Sequence, residues 1–110
     1  MNKQFEGKVA FISGGTSGLG KATVYELVKR GARVIFVGRD DAKAQEVINK
    51  CKELGGEAEY KNCDITKHQN VIDVFGYIRE RYGKLDFAGN VAGTGIPPPK
   101  LTIPQTIRLI

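Results

Sequence analysis

The chain has 110 residues, of which 41% are hydrophobic and 26% are charged, and its formal net charge is +5 at pH 7. This length provides one domain with a single core, and the composition is that of an ordinary globular protein. No apolar run approaches the roughly 20 residues of a membrane span. Lysines and arginines are scattered among acidic residues, so we expect neither a nucleic-acid nor a membrane partner. The first residues lack the apolar segment of a signal peptide, which predicts a cytoplasmic protein.

The cysteines and the single histidine do not form a metal-binding pattern. Cys51 and Cys63 have no C-x-x-C spacing and no histidine cluster beside them, so we expect free thiols, buried or half-buried. His68 precedes a predicted helix and is expected to be solvated. The sequence therefore predicts no metal site.

In the first half of the chain, short apolar runs alternate with helical spacing. Residues 8–12 form a nearly continuous apolar run, typical of a strand buried on both faces. The spacing over 18–30 predicts a helix that ends at Gly31. A second buried strand follows at 34–37. The expected core face of the helix comprises Leu19, Thr23 and Leu27, with Val24 and Val28 beside them.

The same alternation continues in the second half. Asp40 or Asp41 can cap a helix that ends at the Gly55-Gly56 pair. Its expected apolar face is Ala44, Val47, Ile48, Cys51 and Leu54. Residues 58–63 predict a more polar strand, suited to a sheet edge. Thr66-x-x-Gln69 has the pattern of a capping box and predicts the start of a third helix. That helix is expected to align Val71, Phe75, Ile78 and Tyr82, and a fourth strand is predicted over 85–88.

This βαβαβαβ order predicts an α/β fold: a Rossmann-type doubly wound parallel sheet with right-handed crossover helices. We assign residues 1–95 to this dinucleotide-binding Rossmann half. Residues 96–110 contain Pro97-Pro98-Pro99 and end within an apolar segment, so we interpret them as a Pro-rich truncated tail, with the second half of the fold absent.

A glycine-rich segment lies between the first predicted strand and the first predicted helix. It comprises Ser13, Gly14, Gly15, Thr16, Ser17, Gly18, Leu19 and Gly20. Glycines permit a tight turn and a close approach of backbone to a pyrophosphate, and the N–H groups of the following helix attract phosphate. The alternative is a glycine-rich turn with a structural role only.

The spacing Gly14-x-x-x-Gly18-x-Gly20, preceded by Ser13, resembles the T-G-x-x-x-G-x-G motif of the short-chain dehydrogenase/reductase family. Asp64-Ile65 resembles the family's segment whose acid binds the adenine amino group, and Asn90-Val91-Ala92-Gly93 resembles its N-N-A-G segment. Ser13 and Val91 replace the family's usual Thr and second Asn, and Gly89 replaces an apolar residue. Taken singly, Asp64 could be a turn residue, and Asn90 could serve an unusual backbone angle.

The resemblance implies an NAD(P)-dependent oxidoreductase that transfers hydride between cofactor and an alcohol or carbonyl substrate. It also implies that the dinucleotide contacts Ser13, Gly14, Thr16, Ser17, Gly18, Leu19, Gly20, Asp64, Ile65, Asn90, Ala92 and Gly93. An acid at the end of the second strand would favour NAD, but Gly38 occupies that position and Arg39 follows. Arginine can pair with a 2′-phosphate, so we expect a preference for NADP over NAD. Asp40 and Asp41 could still reach a ribose, although helix capping explains them adequately.

In that family a Ser, a Tyr and a Lys carry out the chemistry, and the last two have Y-x-x-x-K spacing. Tyr25-x-x-x-Lys29 has this spacing but lies on the helix after the glycine segment, and Tyr77-x-x-x-Arg81 has the wrong base. We therefore assign no catalytic residue.

Two alternatives to the enzyme interpretation stay open. One is a dinucleotide-binding or interaction module without turnover, and the other is a non-functional truncated product. The family's strand order of 3-2-1-4 would also leave the fourth strand as an open edge, from which we expect self-association.

Overall fold

A four-stranded parallel sheet with crossover helices forms the centre of the fold. The computed structural model describes residues 4–16 and 18–90; the predicted 96–110 tail lies outside the described residues. The elements are β1 (Val9–Ser13), α1 (Gly18–Lys29), β2 (Arg33–Gly38), α2 (Asp41–Glu53), β3 (Ala58–Asn62), α3 (His68–Tyr82) and β4 (Phe87–Asn90).

The strand order is β3-β2-β1-β4, and every pairing is parallel. This confirms the predicted Rossmann-type α/β fold, the predicted strand order and the edge position of the polar third strand. Because all four strands run in the same direction, their carboxyl ends lie at one edge of the sheet, which is where open α/β sheets bind ligands.

Helices cover both faces of this sheet. On one face α1 and α2 pack against Ala10, Ile12, Val34 and Phe36, and on the other face α3 packs against Val9, Phe11, Ile35 and Val37. Side chains of a strand alternate between faces, so two covered faces require apolar residues at every position. This explains why β1 and the centre of β2 read as continuous apolar runs.

The buried face of α1 differs from the predicted one. Gly20, Val24, Leu27 and Val28 are buried, whereas Leu19 is 47% exposed. Thr23 uses its hydroxyl to bond the carbonyl of Leu19 on the helix surface, 2.9 Å away. The prediction was wrong for Leu19 and Thr23 because it weighted side-chain apolarity. The helix is instead rotated so that its glycine faces the preceding loop.

The predicted capping box at Thr66 is also wrong. The N-cap of α3 is Lys67, which makes no side-chain cap bond, and the helix begins at His68, which is exposed. The backbone N–H and the hydroxyl of Thr66 instead donate to Asp64 Oδ1, at 3.0 and 2.6 Å. A hydrogen bond to the charged carboxylate of Asp64 is stronger than one between the Thr66 hydroxyl and a backbone N–H of the helix. Thr66 therefore bonds within the loop and does not cap α3.

The remaining boundaries agree closely with the predictions. Asp40 is the N-cap of α2, and its side chain accepts a bond from the backbone of Lys43. The fourth strand begins at Phe87 rather than Leu85, because Asp86 exchanges hydrogen bonds with the backbone of Val9 and fixes the entry of β4. Among the described residues no helix is long and apolar enough to cross a membrane, and the cytoplasmic location stays a prediction.

Cys51 and Cys63 are both free and buried, as predicted. Burial raises the pKa of the Cys51 thiol to about 11, so this cysteine is a protonated core residue at neutral pH.

The start of α1 depends on close contact between two glycines. A Cβ at Gly20 would overlap the carbonyl oxygen of Gly14, whereas a Cβ at Gly18 would have no neighbour within 4 Å. The backbone of α1 therefore rests directly on the loop that follows β1, and only a glycine at position 20 allows this approach.

We expect Gly20→Ala to lower the free energy of unfolding by at least about 2 kcal/mol, because backbone on both sides of the contact must move. Gly18→Ala is the matched control and should change it by less than about 1 kcal/mol. Urea denaturation followed by circular dichroism measures both. Equal effects of the two substitutions would contradict the contact.

Candidate functional site

The loops that follow the strands converge at the carboxyl edge of the sheet. Ser13, the last residue of β1, lies beside Val37 of β2 on one side and Asn90 of β4 on the other. Gly38, the last residue of β2, pairs with Asn62 of β3. The loops that follow β1, β2 and β3 therefore begin next to one another at this edge, although they are far apart in the sequence.

The glycine-rich segment is anchored to the neighbouring strand by its backbone. The N–H groups of Gly14 and Gly15 both point to the carbonyl oxygen of Val37, at 3.1 and 3.4 Å. Gly14 has φ of +77°, a conformation that a residue with a Cβ rarely adopts. Gly15, which belongs to the glycine-rich segment but is not among the predicted cofactor contacts, packs so closely on Phe36 that a Cβ would lie 2.7 Å from its ring. The loop thus has one defined path over the sheet.

The amino end of α1 faces this edge with its backbone donors. Gly18 and Leu19 are exposed, and the first turn of the helix contains no acidic residue. A helix amino end carries a partial positive charge and unpaired N–H groups, so it attracts an anion when no carboxylate competes. Thr16 is half-buried, and its hydroxyl would lie 3.3 Å from a Cβ at Gly38. The loop and the end of β2 are therefore in close contact.

Arg39 and Asp64, which the sequence assigned to different parts of the cofactor, form an ion pair. The guanidinium Nη1 of Arg39 lies 3.0 Å from Asp64 Oδ2, and the side chains are 67% and 22% exposed. Hydrogen bonds from Thr66, together with the charge of Arg39, hold the pKa of Asp64 below its usual value. An exposed pair of this kind is weak, so both partners stay available to a bound ligand.

Asp41 is held by the third strand. The hydroxyl of Tyr60 and the amide nitrogen of Asn62 both lie 2.8 Å from Asp41 Oδ1. These two bonds hold the pKa of Asp41 below its usual value, with Asn62 the larger cause. The interpretation of Asp41 as a second possible cap was therefore wrong, since Asp40 alone caps α2 and Asp41 binds β3. Sequence reasoning missed Tyr60 and Asn62.

The other predicted site residues are placed as follows. Ser13 is buried at the end of β1, and Ile65 is 36% exposed beside Asp64. Asn90 ends β4 next to Ser13. Ser17, Ala92 and Gly93 lie outside the described residues. The described residues contain no cluster of His, Cys, Asp and Glu able to hold a metal ion.

Neither tyrosine with the four-residue spacing has the surroundings of a catalytic acid. Tyr25 packs against the core formed by α1 and α2, and desolvation raises its pKa. Lys29 ends α1, a helix of 12 residues, and therefore lies about 17 Å along its axis from Gly18. The hydroxyl of Tyr77 donates a hydrogen bond to the carboxylate of Glu59 in β3. Both tyrosines therefore have structural roles in the described part of the chain.

Comparison with known proteins gives one consistent family. A model of the family described as short chain dehydrogenase matches residues 8–107. The chain is 39% identical to a 3beta-hydroxysteroid dehydrogenase of Mediterraneibacter gnavus over 90 residues, which are 82% of this chain and 33% of that protein. The chain thus spans about a third of the length of this curated relative.

Solved structures with the same fold are similar over most of the chain. A hydroxysteroid dehydrogenase from Escherichia coli has a TM-score of 0.79 and 33% identity, covering 89% of this chain and 42% of that one. An NAD+-bound xylitol dehydrogenase has a TM-score of 0.73 and 27% identity, covering 77% and 33%. A metagenomic short-chain oxidoreductase in complex with NADP has a TM-score of 0.74 and 30% identity, covering 76% and 38%. The family match over nearly the whole chain, supported by these structures, places this protein in the short-chain dehydrogenase/reductase family.

Proposed function

We propose that this chain binds the adenosine and pyrophosphate parts of NAD(P) at the carboxyl edge of its sheet. The observation that carries the proposal is the contact between Gly20 and Gly14, which brings an acid-free helix amino end against a glycine loop. Such an arrangement fits a pyrophosphate, because backbone N–H groups can approach it without side chains in the way. Relatives that are described as NAD+-bound or in complex with NADP support this choice of ligand.

The residues divide by the part of the cofactor that each would contact. The pyrophosphate would lie against the loop and the first turn of α1, formed by Ser13, Gly14, Thr16, Ser17, Gly18, Leu19 and Gly20. Asp64 and Ile65 would contact the adenine, since both lie at the carboxyl end of β3. Asn90, Ala92 and Gly93 would line the cofactor after β4.

The complete reaction we propose is reversible hydride transfer between NAD(P) and an alcohol or carbonyl compound. When bound, the nicotinamide supplies the hydride chemistry, and the protein supplies binding and orientation. Three of the similar proteins are named as dehydrogenases of hydroxysteroids or of xylitol, which are compounds that carry hydroxyl groups. Their names are consistent with this reaction class. The part of the chain that the structure describes contributes the cofactor-binding half of this activity.

A binding module without turnover is the second candidate. It is favoured by the structural roles of Tyr25 and Tyr77, the two described tyrosines that have a lysine or an arginine four residues later. A chain that binds the dinucleotide but oxidises and reduces no alcohol or carbonyl compound would support this candidate over the enzyme.

We propose that NADP is preferred over NAD. Gly38 supplies no carboxylate at the end of β2, and Arg39 beside it is largely exposed. Its guanidinium bonds Asp64 through Nη1, so its other N–H donors can meet a 2′-phosphate. A phosphate carries more charge than the carboxylate of Asp64 and can compete for the same guanidinium.

Arg39→Ala should weaken NADPH binding about tenfold at low ionic strength, because a charge-assisted hydrogen bond of about 1.4 kcal/mol is lost. NADH lacks the 2′-phosphate, so its affinity should change less than about twofold. Calorimetric titration measures both.

Lys52→Ala is the matched control, because it removes the same charge from the opposite end of α2. It should leave both affinities unchanged. Equal loss of NADPH and NADH in Arg39→Ala would contradict the assignment of Arg39, and no binding of either dinucleotide to the unaltered chain would overturn the proposed function.

We also propose that the chain self-associates through β4. Among the described residues, β4 pairs with β1 on one side and with no strand on the other. An apolar parallel strand with unpaired backbone groups is a template for pairing with a second copy.

Light scattering at micromolar concentration should therefore give a mass above that of a monomer. Hydrogen exchange localises the contact: the amides of β4 should become more protected as concentration rises, because they enter an interface. The amides of β3, the more polar edge strand, serve as the internal control. A monomer with β4 protection independent of concentration would rule out this association.

A further inference from the structure

Asp41 places a carboxylate near the end of β2, where a ribose 2′-phosphate would meet Arg39. It is the first residue of α2 and comes three positions after Gly38. A free carboxylate in this region would repel a 2′-phosphate and attract Arg39. The affinity for NADP therefore depends on where this carboxylate points.

Two side chains of β3 fix its direction. Tyr60 and Asn62 are two residues apart and therefore lie on the same face of the strand. Both donate to the same oxygen, Oδ1 of Asp41. The Tyr60 hydroxyl also lies 3.0 Å from the carbonyl oxygen of Gly38. Its single proton goes to the carboxylate, which is the stronger acceptor. The Tyr60 ring packs on Phe36, with 5.3 Å between centroids, and Phe36 is fully buried. The hydroxyl is thus held in position by the core.

Helix capping does not require this arrangement. Asp40 already caps α2 by accepting a bond from the backbone of Lys43 at 3.0 Å. The bonds to Asp41 come from residues 19 and 21 positions away and draw its carboxylate toward β3. Arg39, two residues earlier, is drawn instead to Asp64. Within the described part of the chain, Arg39 and Asp41 therefore bond different partners, although they have opposite charges and lie on the same turn.

We propose that Tyr60 and Asn62 are specificity-determining residues, which hold the Asp41 carboxylate against β3 and leave Arg39 available to the 2′-phosphate of NADP. This inference rests on the proposed dinucleotide-binding function. Tyr60 and Asn62 act through Asp41 and are positioning residues. Desolvation and the bond to Asp41 raise the pKa of Tyr60 to about 12, so the phenol remains a proton donor throughout the neutral range.

The test uses two probes that differ only in the 2′-phosphate, adenosine 2′,5′-bisphosphate and adenosine 5′-monophosphate. Calorimetry on the full chain gives the ratio of their dissociation constants. In the double variant Tyr60→Phe/Asn62→Ala, the freed carboxylate should raise the dissociation constant of the bisphosphate about threefold to tenfold. This is the effect expected for one added negative charge in a partly screened position. The monophosphate should change by less than about twofold.

Asp41→Asn supplies the control for a structural role. In this background the same pair of substitutions should no longer change the ratio, because no carboxylate is left to release. Asp41→Asn alone should alter the ratio by less than about twofold. A large rise in bisphosphate affinity on Asp41→Asn alone would mean that the carboxylate already acts on the 2′ position, and this would overturn the inference even if the double variant does not fold.

A readout independent of nucleotide comes from NMR titration of the Asp41 carboxyl carbon. Its pKa lies below the usual value in the unaltered chain and should rise toward that value when Tyr60 and Asn62 are replaced. Binding of both probes with an unchanged ratio in Tyr60→Phe/Asn62→Ala would overturn this inference and leave the proposed function standing. Failure of the unaltered chain to bind either probe would overturn both.

Discussion

The candidate site depends on one close approach of backbone to backbone, between Gly14 and Gly20. A side chain at position 20 of α1 would hold the helix away from the end of β1, because its Cβ would occupy the place of the Gly14 carbonyl. With glycine there, the helix begins directly above the carboxyl end of the strand and directs the positive end of its dipole to the edge of the sheet. The same contact explains the rotation of α1 that buries Gly20 and exposes Leu19.

The adenosine side of the site depends on charge placement. Arg39 bonds Asp64, and Asp41 bonds Tyr60 and Asn62, so these two charged groups near the end of β2 each have a partner on β3 or in the loop after it. β3 therefore does more than complete the sheet. It provides the polar groups that decide which charges can meet a ligand, and this gives a physical reason for its polar sequence at an edge position.

The sequence was sufficient to predict the sheet and its order, because continuous apolar strands alternating with amphipathic helices permit few topologies. It was also sufficient to place the glycine loop, since only a βα turn needs glycines at that spacing. It was not sufficient for Thr66, where two local bonding patterns were available and the carboxylate of Asp64 was the stronger partner. Nor could it predict the pairing of Arg39 with Asp64, 25 residues away, or of Asp41 with Tyr60, 19 residues away. Such contacts depend on strand register, which local periodicity does not define.

The proposed cofactor site is assembled from successive βα units of the sheet. In an open parallel sheet, each βα unit contributes its own loop to the carboxyl edge, so a dinucleotide is bound piece by piece along the strand order. The loops after the described strands are those that we propose for pyrophosphate, ribose and adenine, and the chain spans about a third of the length of the 3beta-hydroxysteroid dehydrogenase. Among the described residues the outer edge of β4 pairs with no strand, so this edge is where a further strand, of this chain or of a second copy, can add to the sheet.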